Sequence, residues 1–185
     1  MPAGPLMIEH RLIERMISVL DRERERIEAF SIVDTVLAGQ AIDFMSSYAD
    51  RCHHGKEENI LFRKLEGKGL SSEDQGTMAK LTEDHRRSRE MVAELREAVA
   101  EYSGGDPPAA LKASDVLRRI VSLYAAHIKL EDEVFFPRAM KYLSKEESAL
   151  MLKEFEEFDR RMVHEHYTEV VEAAEKSFPN KGVGQ

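Results

Sequence analysis

Two stretches of the chain, Cys52 to Phe62 (CHHGKEENILF) and His127 to Pro137 (HIKLEDEVFFP), repeat one arrangement: a histidine, a glutamate four residues later, then a short apolar run. In a helix, positions i and i+4 lie one turn apart on the same face. His54 with Glu58, and His127 with Glu131, therefore each aim an imidazole and a carboxylate at one point. A chain carrying two such pairs on apolar helix faces must fold so that both carboxylates meet a compensating charge.

The rest of the sequence supplies the helices. From Leu6, the residues His10, Ile13, Ile17, Leu20 and Ile27 recur at the spacing of an amphipathic helix expected to end near Phe30. Ser31 and Asp34 offer caps for a second helix running to about Leu65, where Gly67 and Gly69 stop it. Its stripe of Leu37, Ala41, Phe44 and Tyr48 leads to His54, Glu58, Leu61 and Leu65. A third helix opens at Ser71-Ser72-Glu73-Asp74 and carries Met78, Leu81, His85, Ser88, Val92, Leu95, Val99 and Tyr102, until Gly104, Gly105, Pro107 and Pro108 turn the chain.

The fourth helix places Leu117, Ile120, Tyr124, His127, Glu131 and Val134 on one stripe until Pro137 kinks or ends it. Ser144 with Glu147 forms a capping box for a last helix bearing Met151, Phe155, Phe158 and Met162. No stretch alternates in the manner of a strand. The expected fold is all-α: an antiparallel four-helix bundle over residues of about 6–142, with an additional C-terminal helix over about 144–178, in one domain spanning 1–185.

Charge and composition narrow the function. Asp and Glu number 35 against 27 Lys and Arg, a net charge of −8, and no basic block suited to phosphates occurs, which argues against nucleic acid. No run reaches the ~20 apolar residues of a membrane span, and no basic and apolar leader precedes the first helix. With the single cysteine, Cys52, this predicts a cytoplasmic protein. Cys52 itself reads as a small apolar residue, and Tyr48 and Tyr124 as packing groups near the carboxylates.

Four predicted helices each place a histidine on the apolar seam, and two add a glutamate: His10; His54 and Glu58; His85; His127 and Glu131. Two carboxylates at matching depths in a core call for a pair of divalent cations, which carboxylates bridge while neutral imidazoles fill terminal positions. Nitrogen and oxygen donors without thiolate favour iron or manganese over structural zinc, although zinc is compatible with these donor types. His53 and Glu57 form a neighbouring copy of the second-helix pair, about 100° off the seam, and are expected beside the site or at the surface.

The set His10, His54-x-x-x-Glu58, His85, His127-x-x-x-Glu131 resembles the H, HxxxE, H, HxxxE pattern of the hemerythrin-like, or HHE cation-binding, proteins over residues of about 6–140. The resemblance implies a non-haem centre of two iron ions with an oxo or hydroxo bridge that binds dioxygen, nitric oxide or peroxide. Glu58 and Glu131 would be its bridges and His10, His54, His85 and His127 its terminal ligands. Oxygen-carrying hemerythrins have a second histidine one turn after the equivalent of His85, where this chain has Arg89, so one iron is expected to lack that nitrogen.

Glu14, one turn after His10, and His164, within a His-Glu dipeptide that resembles a block in close relatives, are candidates to fill the place; the stripe of the last helix points more nearly at His166. The expected function is binding of dioxygen or a related small ligand for sensing, storage or detoxification. An oxidoreductase acting on peroxide or nitric oxide at the same metals, and an interaction module whose metal only stabilises the bundle, are the alternatives. A homo-oligomer or a redox partner accompanies these readings.

Overall fold

In the computed structural model, residues 1–176 are described, with side chains through Met162. Helix α1, Ala3–Phe30, buries Leu6, His10, Ile13, Ile17, Leu20 and Ile27, the full stripe expected from spacing. It stops where Ser31 turns left-handed (φ 54°) and donates its N–H to the Ile27 carbonyl at 2.7 Å. The Asp34 carboxylate then accepts from the backbone N–H groups of Val36 and Leu37 at 3.1 and 3.0 Å, satisfying two donors at the start of α2, residues 35–66.

Helix α3, Ser72–Ser103, is capped by Ser71, whose hydroxyl oxygen accepts from the Asp74 N–H. Helix α4 covers residues 109–139 and continues past Pro137 before a 3-10 turn, Met140–Tyr142, ends it. Helix α5, Lys145–Lys176, begins with a reciprocal box in which Ser144 and Glu147 each accept the other's backbone N–H. No strand occurs among the described residues, and none of their helices is long and apolar enough to cross a membrane.

Short connections fold these helices back on one another. Helix α4 packs against α1 and α3, α2 against α3, and α5 across the middle of α2. The fifth helix docks through buried Met151 and Phe155. Phe158 presses so closely on Gly55 that a Cβ there would lie 2.8 Å from the ring.

The middle of α2 departs from α-helical winding. Residues Met45–His54 and Glu57–Phe62 are π-wound, as is Glu131–Phe135 in α4. Wider turns allow Ala41, Met45, Ala49, His53, Glu57, Leu61 and Leu65, spaced by four throughout, all to be buried. In an α-helix each step of four overshoots a turn by about 40°, so six steps would carry the stripe about 240° around the axis. The π winding absorbs that drift, and single π turns are frequent at functional sites.

The apolar core forms two clusters, one around Ile13, Ile17, Leu20, Met91, Leu95, Ile120 and Tyr124, the other around Leu6, Leu61, Phe62, Leu81, Phe135 and Phe155. Every helix of the four-helix core passes through the gap between them. At that level each presents polar side chains: His10 in α1, His53, His54 and Glu57 in α2, His85 in α3, His127 and Glu131 in α4.

Candidate metal centre

Seven buried side chains meet between the apolar clusters, and they fall into two groups that share Glu57. His54, Glu57, His85 and His127 form one; His10, His53, Glu57 and Glu131 form the other. Within each group the donor atoms lie within 4.8 Å of one another. Glu57 reaches His53 Nε2 at 3.6 Å and His85 Nε2 at 3.4 Å, and Glu131 reaches both His10 Nε2 and His127 Nε2 at 3.2 Å. Each carboxylate thus touches one imidazole from either group.

The outward nitrogens explain why the inward ones converge. His10 Nδ1 faces Asp132 at 2.7 Å, His53 Nδ1 faces Glu9 at 2.8 Å, His54 Nδ1 faces Asp50 at 3.3 Å and His85 Nδ1 faces Glu58 at 2.7 Å. Asp84 stands 3.8 Å behind His127 Nδ1. A carboxylate accepts, so at the four shorter contacts Nδ1 carries the proton and Nε2 turns a lone pair inward. The Nε2 atoms of His10 and His53 face each other at 2.9 Å.

Lone pairs brought that close repel unless a proton or a cation lies between them. The same deficit appears across the cluster. Among the described residues, the buried side-chain polar atoms with no hydrogen-bond partner are His54 Nε2, His85 Nε2, both nitrogens of His127 and all four oxygens of Glu57 and Glu131, besides Asp74 Oδ1 on another part of the molecule. Buried polar atoms are ordinarily satisfied, and leaving each one unsatisfied costs about 1–3 kcal/mol. Divalent cations would satisfy the cluster together, so the residues fit metal.

Protonation tells the same story. Burial, reinforced by neighbouring imidazoles, keeps His54 and His127 below the usual histidine range and brings His10 to about 4, so all three are neutral donors near pH 7. Burial depresses His85 as well, but Glu57 and Glu58 outweigh it and hold the group above its ordinary value. Burial also raises Glu57, yet the surrounding His53, His85 and His10 bring it down to about 2. Burial and the charge of Glu57 lift Glu131 well above the carboxylate range. Glu131 keeps a proton that a cation between the two carboxylates would displace.

Of the residues expected from sequence, His10, His54, His85, His127 and Glu131 come together here, and Glu58 does not. Its side chain is 26% exposed and accepts from His85 Nδ1 and from Arg89, whereas Glu57 is fully enclosed. His53, read as a neighbour of the site, points into it alongside His54. The cause is the π winding, which advances α2 by more than 3.6 residues per turn and brings the His53 and Glu57 positions onto the seam. The strict four-residue spacing from Ala41 to Leu65 is the sequence signal for it.

Glu14 is also absent from the cluster. It lies at the surface in an ion pair with Arg11, because an i+4 position on an α-helix drifts about 40° from His10. Arg89 points outward and bonds Asp50 and Glu58 at 2.7 and 2.8 Å. The side chains of His164 and His166 lie outside the described residues. Tyr124 is buried, its hydroxyl 2.8 Å from that of Ser88.

A central bundle with a compact histidine and carboxylate cluster defines a cation-binding helical domain. A family model described as the hemerythrin HHE cation binding domain matches residues 2–139 and again 79–175, so the chain belongs to that family. Neither a curated protein nor a solved structure gave a match.

Proposed function

We propose that the protein holds two iron ions in this cluster and binds dioxygen, nitric oxide or peroxide there, in sensing, storage or detoxification. The observation that carries the reading is the convergence of donors: five buried imidazoles meet the oxygens of Glu57 and Glu131, and most of the inward atoms have no hydrogen-bond partner among the described residues. His54, His85 and His127 with Glu57 would hold one ion, and His10, His53 and Glu131 with Glu57 the other. An iron pair supplies reversible electron transfer toward a small oxidising ligand.

The chain's own residues prepare that centre. The carboxylates behind the imidazoles hold each ring in one tautomer, so donors need not reorient when an ion arrives. The apolar clusters on either side exclude bulk water. His53 supplies a fifth imidazole, on the side of His10, in a chain that has Arg89 one turn after His85. The side of His10 and His53 has one imidazole fewer than the other.

Protein purified from iron-replete cells should contain about two irons per chain and show an oxo-to-iron absorption band in air, by metal analysis and visible spectroscopy. Colourless protein free of iron from such cells would overturn the reading. Catalytic turnover of added peroxide, rather than stoichiometric binding, would assign the same site to an oxidoreductase.

A further inference from the structure

Each carboxylate that backs an imidazole is itself met by a cation. Asp132 pairs with Arg11, Glu9 with Lys56, Asp50 and Glu58 with Arg89, and Asp84 with Lys80. Arg11, Arg89 and Lys80 are exposed, so water and salt screen their charges. Lys56 differs. It is 0% exposed, and its ammonium reaches two carboxylates at once, Glu9 of α1 and Asp159 of α5, the latter at 2.7 Å.

A buried lysine is rarely needed to seat a helix. Met151, Phe155 and Phe158 already dock α5 on α2 through apolar contact. The ammonium instead links that helix to the cluster by a continuous path: Asp159 to Lys56, Lys56 to Glu9, Glu9 to His53 at 2.8 Å, and His53 to His10 at 2.9 Å. Asp159 also accepts from the Cys52 thiol at 3.3 Å. The Asp159 carboxylate is 44% exposed, but from Lys56 inward the path is largely buried and poorly screened, and it bears on one group of donors, since the His54, His85 and His127 side is backed by other carboxylates.

We propose that Asp159 and Lys56 are positioning residues through which α5 sets the metal affinity of the His10, His53, Glu57 and Glu131 group, leaving the other group little affected. This rests on the two-ion reading above. Asp159 neutralises half of the task of Lys56. Without it, the ammonium bears on Glu9 alone, weakens the pull of Glu9 on His53, and the path loses one negative charge that favours an incoming cation.

Cobalt(II) titration of the metal-free full chain, followed by d–d absorption, tests this directly. Wild-type protein should take up two ions in two steps, one of which disappears in His10→Ala. In Asp159→Asn that same step should weaken about tenfold and its band should shift, with the other step within about threefold of wild type. Asp159→Glu should restore it. Phe158→Ala, which loosens the helix without touching charge, should lower the melting temperature and leave the ratio of the two affinities unchanged.

An Asp159→Asn isotherm identical to wild type overturns the coupling alone, as does equal weakening of both steps in parallel with a lower melting temperature. Wild-type protein that binds fewer than two ions overturns the coupling together with the two-ion reading.

Discussion

Glu57 and Glu131 stand opposite each other in the core, each within reach of one imidazole from either side of the cluster, while Glu58 sits a residue away among charged partners at the rim. Adjacent glutamates therefore have separable roles. Glu57→Ala should abolish loading of the ion pair. Glu58→Ala removes only the carboxylate behind His85 and should leave two ions bound with affinity reduced about tenfold, as outer partners of metal-bound histidines usually do. Metal analysis of both variants after equal dialysis checks the contrast.

Removing metal should cost stability. Without a cation the buried Glu57 and Glu131 cannot both carry their charge, and an ion at a hundred times its dissociation constant contributes about 2.7 kcal/mol. For a domain of this size that corresponds to a melting temperature about 6–10 °C lower in chelator than in the loaded protein. His127→Ala should shrink this difference. Scanning calorimetry with and without chelator measures it.

Metal uptake should depend on pH with a definite sign. Burial and Glu57 raise Glu131 well above the carboxylate range, so below its folded pKa a proton occupies the place a cation would take. An ion that binds at Glu131 must displace it, and affinity should rise as pH rises through that range. Titrations at several pH values should show tighter binding at higher pH, with protons released to the buffer. The same raised pKa makes ionisation of Glu131 a destabilising contribution in the metal-free protein, growing above the unfolded-state pKa and levelling off once the folded pKa is passed.

Gly55 offers a packing test. Glycine inside a helix usually costs about 0.5–1 kcal/mol relative to alanine. Here a Cβ would lie 2.8 Å from Cζ of Phe158 and push the ring of α5 aside. Gly55→Ala should therefore bring no gain in the wild-type background but stabilise Phe158→Ala by about 1 kcal/mol, a coupling that denaturant melts of the four proteins in a double-mutant cycle resolve.

Cys52 should react slowly. Burial, with Asp159 accepting from the thiol, pushes its pKa up to about 12, so the thiolate is scarce at pH 8. Alkylation of the native chain should run at least about a hundredfold more slowly than that of the unfolded chain, which timed quenching and mass analysis would show.

The sequence alone determined the helices and most of their contents. Apolar spacing located the stripes of α1, α3 and α4, the caps at Asp34, Ser71 and Ser144 placed helix starts, and one histidine per seam announced a shared polar centre, because these signals are local and each helix carries its own. Only the tertiary structure decided between Glu57 and Glu58 and admitted His53 beside His54. That choice depends on the winding of α2, and a π turn forms where packing against α3, α4 and α5 outweighs its poorer hydrogen-bond geometry. The carboxylates behind the imidazoles and the link from Asp159 to Glu9 through Lys56 were likewise settled by assembly, since they join residues up to 122 positions apart that share no periodicity.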